Sequence, residues 1–178
     1  MTAIAGGVVA SADFNTFVRD NLNLTEAALA QTPSGFMVGT GLNAIAERVF
    51  STDLVDVSES TSSATYVNLA TVGPQVTVTT GTRAIVAFGA RIGDNSNTAG
   101  TPSTTMSVAV SGATTIAADA TWAAGIIQPT NLGRQVAIYT SRWWMFTLTP
   151  GSNTFVCKYA TTSDSPTFDH RSLHVLPL

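Results

Sequence analysis

Two histidines, His170 and His174, stand four residues apart in a strand-like run, a separation that spans about 13 Å in extended chain. One metal ion held at about 2 Å cannot reach both, so they read as polar residues on one sheet face. Cys157 lies in Thr154–Phe155–Val156–Cys157–Lys158–Tyr159, where Phe155, Cys157 and Tyr159 share one side of a strand. It is expected to be a small core residue, since a catalytic thiol needs a neighbouring histidine that this spacing does not supply. Asp94–Asn95–Ser96–Asn97–Thr98 alternates oxygen ligands as calcium loops do, but the sixth and twelfth positions are Ala99 and Thr105 instead of Gly and Glu. The loop over 93–103 is therefore expected to be a solvated turn, with calcium as the alternative. Two acid pairs, Asp164 with Asp169 and Asp53 with Asp56, have no feature that sets them across a cleft as glycoside hydrolysis demands. No nucleophile elbow, phosphate-cradling loop or zinc-binding cysteine pair occurs. The residues give no positive support for an enzyme, and no cofactor or metal site is assigned.

The aromatic residues carry more. Trp143 and Trp144 are adjacent in a predicted strand, so their indoles face opposite sides of a sheet. If one fills the core, the other is exposed or at an interface. Trp122, in a strand or loop over 121–125, and Trp144 are the candidate surface-binding aromatics, suited to anchor a protein contact or stack on a sugar ring.

Two kinds of element position these residues. Ser11–Ala12–Asp13–Phe14 reads as a helix start, with the serine hydroxyl as cap and Asp13 well placed against the N-terminal dipole. Phe14, Val18, Leu22 and Leu29, with Phe17 and Leu24 beside them, predict a helix over about 12–30 that ends before Pro33–Ser34–Gly35. So short a helix buries its stripe either on its own domain or against neighbouring subunits around a symmetry axis. Phe14, Phe17, Val18 and Leu22 are the candidate docking residues. The resulting division is a docking segment over 1–32, a linker over 33–48 with at most a short helical turn, and a β domain over 49–178.

Alternation predicts strands at 49–57, 64–71, 75–80, 83–92, 104–111, 113–119, 134–148, 153–160 and 167–176. Gly81–Thr82 and Ser111–Gly112–Ala113 read as hairpin turns, and Thr149–Pro150–Gly151 as a turn between the last long strands. The expected fold is mainly β: an antiparallel sandwich, jelly-roll-like, with a short N-terminal helix.

Composition narrows the function classes. The chain has 178 residues, 11 acids against 8 bases, one lysine and only 11% charged residues. A net charge of −3 without a basic run disfavours nucleic acid, and no apolar stretch approaches a membrane span. Hydrophobic residues make up 44%, however, and the mean hydropathy is +0.24, a surplus that copies of the same chain would cover. A lone cysteine speaks against a disulfide scaffold, and the N-terminus lacks the charged start of a secretory signal, so synthesis in a cytoplasm is expected.

The segment Gly7–Val8–Val9–Ala10–Ser11–Ala12–Asp13–Phe14–Asn15–Thr16–Phe17–Val18–Arg19–Asp20–Asn21–Leu22 resembles a leader found in virion proteins of tailed bacteriophages, roughly G-x-V-x-T-A-A-D-x-N-x-x-V-R-D-N-L. The Thr/Ala/Val-rich strands, the Thr149–Pro150–Gly151 turn and the ending Arg171–Ser172–Leu173–His174–Val175 are similar to sandwich domains of phage minor tail, fibre-like and capsid-decorating proteins. The resemblance implies a non-enzymatic structural part of a virion, commonly a homotrimer, whose partners are other tail or capsid proteins. The alternative is a carbohydrate-binding module that uses an exposed Trp122 or Trp144 to attach to a host-surface glycan. Residues 33–48 lack the long coiled coil or repeat of an extended fibre, which favours a compact knob.

Overall fold

The computed structural model describes residues 10–22, 25–94, 101–127, 136–164 and 166–178, without the side chains of 17, 20, 26 and 27. The chain divides into an N-terminal unit ending at Val49 and a second unit from Phe50 to Leu178.

The N-terminal unit is helical and then β. An α-helical turn (Ser11–Phe14) runs into a π-helical turn (Asn15–Arg19) and a closing α-turn (Asp20–Leu22), and a further turn follows at Glu26–Leu29. Ser11 is the first helical residue and not the cap; Ala10 holds the cap position with no side-chain bond. Where a linker is expected, β1 (Phe36–Gly41) and β2 (Ala44–Arg48) form an antiparallel hairpin. Its turn has Asn43 at φ 55°, a left-handed conformation that asparagine tolerates better than most residues. Glu47 ties the entry down: its Oε1 accepts from the amides of Gln31 and Thr32 at 3.1 and 2.8 Å. None of the described residues from 10 to 49 is buried.

The second unit is an antiparallel β-sandwich built from β3 (Ser51–Val55), β4 (Gln75–Thr80), β5 (Arg83–Asp94), β6 (Ser103–Gly112), β7 (Ala124–Ile127), β8 (Val136–Thr147), β9 (Gly151–Thr161) and β10 (Pro166–Pro177). One sheet has the order β3-β10-β5-β8 and the other β4-β9-β6-β7. The pairings nest, with β3 on β10, β4 on β9, β5 on β8 and β6 on β7. That is the path of a long antiparallel ribbon folded over itself, the jelly-roll connectivity.

Because every short turn passes from one sheet to the other, Gly81–Thr82 joins β4 to β5 across the sandwich and is not a hairpin. The predicted strand at 75–80 is present, and 83–92, 104–111, 134–148, 153–160 and 167–176 match long strands to within three residues. Two others are loops. In 64–71 only Val67 pairs, with Tyr159. In 113–119 only Ile116 pairs, with Val110, while Ser107 Oγ takes the place of a ladder by bonding Asp119 O and N at 2.8 and 3.2 Å. Gly112, at φ 108°, turns the chain there; a Cβ on it would strike Ser152 O.

The core lies between the inner faces: Val86, Phe88 and Ile92 of β5, Met106 and Val108 of β6, Phe155, Cys157 and Tyr159 of β9, and Phe168, Leu173 and Val175 of β10 are almost fully buried. Phe168 and Leu173 are an odd number of residues apart, yet both point inward. The β10 register slips between Asp169 and Ser172, with His170 at φ 48°, and this one extra residue restores the phase.

Candidate functional site

Three of the apolar residues of the predicted helical stripe are exposed in the N-terminal unit. Phe14, Val18 and Leu22 are 52%, 40% and 59% exposed, four residues apart along the helical stretch. The Phe17 side chain lies outside the described residues. The hairpin that follows adds further exposed apolar groups, among them Leu42 and Ile45.

The tryptophans split as alternation requires, but in the opposite sense to the expectation. Trp144 pairs with Val86, an inward residue, and so faces the core; Trp143 pairs with Ala87 and faces out, 65% exposed. Trp122 closes the same end of the sandwich. Its ring lies 6.0 Å from Trp144 and 5.6 Å, edge on, from Phe146, and its Nε1 donates to Val108 O at 3.0 Å. Trp122 and Trp144 are therefore half-buried lids on the core, and the freely exposed indole is Trp143. Arg142, on the same inward side as Trp144, stacks over the Trp144 ring at 5.3 Å and donates to Ala123 O.

The histidines part company. His174 stacks on Phe50, with ring centroids 6.1 Å apart and 4° between planes. His170, lifted out by the bulge, has Asp169 Oδ1 at 2.8 Å from Nδ1 and Asp56 Oδ1 at 3.3 Å from Nε2, with Tyr139 edge on. Asp169 also accepts from Arg91 at 3.0 Å, and Asp53 accepts from the Gln75 amide at 2.7 Å. Asp53 and Asp56 thus serve different contacts, the Gln75 amide and His170, while Asp169 is held by Arg91 and His170. Among the described residues no three of His, Cys, Asp and Glu are grouped as metal ligands.

Residues 95–100 of the predicted oxygen-rich loop lie outside the described residues. Asp94 at its edge is buried and accepts from Ser163 Oγ at 2.6 Å. Cys157 is wholly buried, and burial pushes its thiol well above the ordinary range.

Sequence reasoning missed two features. Arg171 is fully buried: it bonds Glu59 Oε2 at 2.7 Å and Val57 O at 3.2 Å, lies within 3.4 and 3.5 Å of the Thr71 and Gly73 carbonyls, and faces the Tyr159 ring at 5.4 Å. It organises the crossover from β3 to β4. Burial pushes the Glu59 carboxyl up, but two Thr71 hydrogen bonds and Arg171 outweigh it and hold the group below its ordinary value. The second is a cleft of about 570 Å³ on the outer face of the β4-β9-β6-β7 sheet, walled by Ala64–Tyr66 and Ala117–Ala120. Lys158 on its lining donates to Asn68 Oδ1 at 2.8 Å. The signal for Arg171 lay in the broken alternation of β10; the cleft is formed by two loops read as strands and had none.

No protein-family model matches this chain, and no curated protein is significantly similar to it.

Proposed function

We propose that this chain is a non-enzymatic structural protein of a tailed-phage virion, on the tail or as a capsid decoration. Its N-terminal unit docks to the particle, and its jelly-roll sandwich stands at the surface among copies of itself, as a homotrimer. One observation carries the reading: no described residue of 10–49 is buried, although Phe14, Val18 and Leu22 line up along a helical stretch. An apolar segment of this size without a core gains its stability from whatever covers it. The sandwich, by contrast, has a core of its own. The leader resemblance over residues 7–22 falls on this same stripe and names the kind of particle.

Replacing Phe14 and Phe17 by serine tests it in virions grown with the variant chain. The sandwich is expected to stay folded and the protein to be lost from purified particles. Normal incorporation of the variant would remove the docking role.

A further inference from the structure

The cleft on the outer face of the β4-β9-β6-β7 sheet is walled by two loops, each pinned to the sheet. Val67 exchanges backbone hydrogen bonds with Tyr159 at 3.0 and 2.9 Å, which seats residues 64–66 beside β9. Ser107 Oγ, from β6, bonds Asp119 O and N and so seats the facing wall. Tyr66 Oη lies 3.2 Å from Thr105 Oγ1 of β6, so its ring spans β9. The space between, about 570 Å³, has the size of small-ligand sites and is already formed.

Its lining is five alanines with Thr65, Tyr66, Asp119 and Lys158. Lys158 is the chain's single lysine. Its Nζ donates to Asn68 Oδ1 and, among the described residues, pairs with no carboxylate. Asp119 accepts from the Thr121 amide at 2.8 Å, and its hydrogen bonding to Thr121 holds the carboxyl below its ordinary value. Burial, against the Thr105 hydrogen bond and aided by the Asp119 charge, pushes the Tyr66 phenol up. The cleft thus holds a carboxylate, an ammonium and a neutral phenol around a floor of methyl groups.

From this lining we propose that the cleft binds an uncharged sugar. Charges of both signs face one small space, so Asp119 repels an anion and Lys158 repels a simple cation. An apolar ligand would strip water from both charges and replace it with nothing. A sugar ring answers every group: its hydroxyls donate to the carboxylate and accept from the remaining N–H groups of the ammonium, and its C–H face lies on the alanine methyls and the tyrosine ring. Because both walls are hydrogen-bonded in place, binding orders little of the chain. The site includes none of the tryptophans and is independent of particle docking, on which the purified chain does not report.

Saturation-transfer NMR of the purified full chain tests it, with the methyl glycosides of glucose, galactose, mannose, N-acetylglucosamine and rhamnose as probes and glucuronate and glycine beside them. At least one neutral glycoside is expected to receive saturation. Lys158→Met and Asp119→Asn should each weaken that sugar about tenfold, with the near-ultraviolet dichroism retained, and Trp143→Ala on the other sheet should leave it bound. Where either variant loses the native dichroism, Lys158→Gln or Asp119→Ser takes its place. Silence across the neutral glycosides overturns the proposal, as does binding that either cleft variant leaves unchanged or that Trp143→Ala abolishes. Preference for glucuronate or glycine overturns it in favour of an anion or a zwitterion.

Discussion

Arg171 Nη2 lies 2.7 Å from Glu59 Oε2, with the arginine side chain fully buried and the glutamate side chain 13% exposed. The pair ties the last strand to the long crossover between β3 and β4. A buried ion pair adds little net stability over apolar residues of the same volume, but removing one partner strands the other without its counter-charge. Arg171→Met is therefore expected to cost about 3–5 kcal/mol, and Arg171→Met with Glu59→Met less than the single change. Urea denaturation midpoints check this; additive costs would contradict it.

The same pair sets an acid dependence. The Glu59 carboxyl is held below its ordinary value in the folded chain. Its contribution is fully present above the ordinary glutamate value of about 4.3 and is lost as pH falls through the lower folded value. The stability gap between wild type and Glu59→Gln should narrow on acidification through that window. An unchanged gap would count against the assignment.

Cys157 is expected to be inert in the native protein. Its sulfur is buried in the core and its thiol is pushed up by that burial, so little thiolate forms and no reagent reaches it. A thiol probe should label it only as fast as the sandwich opens, and fully in denaturant. Labelling of the native protein at the unfolded rate would place the residue elsewhere.

Trp122 is predicted to be a structural lid. Trp122→Phe keeps the ring contact with Phe146 but leaves the Val108 carbonyl without the indole donor, at a cost of about 1–3 kcal/mol. Thermal unfolding of the variant checks this, and an unchanged midpoint would contradict it.

How much of this was legible follows from what each residue answers to. Val76 and Val78 in β4, or Met106, Val108 and Val110 in β6, face one side of a two-sided sheet, so their period appears directly in the sequence. Segment 64–71 has a comparable pattern, yet Arg171, about a hundred residues away, takes the Thr71 and Gly73 carbonyls, and only Val67 joins a sheet. The opposition of Trp143 and Trp144 was readable. Which one turns inward depends on register against β5, and register is a long-range property. The hairpin at 36–48 was hidden by its glycines and lack of a clear period. The apolar stripe proposed for docking was legible because Phe14, Val18 and Leu22 repeat every four residues within one short stretch.

The most direct test of the proposed docking role is cosedimentation of the purified full chain with tailed-phage particles assembled without it. Wild-type chain is expected to pellet with the particles, while a variant with serine at Phe14, Phe17, Val18 and Leu22 stays in the supernatant with its sandwich folded. Equal pelleting of both, or a wild-type chain that never pellets, would contradict the account.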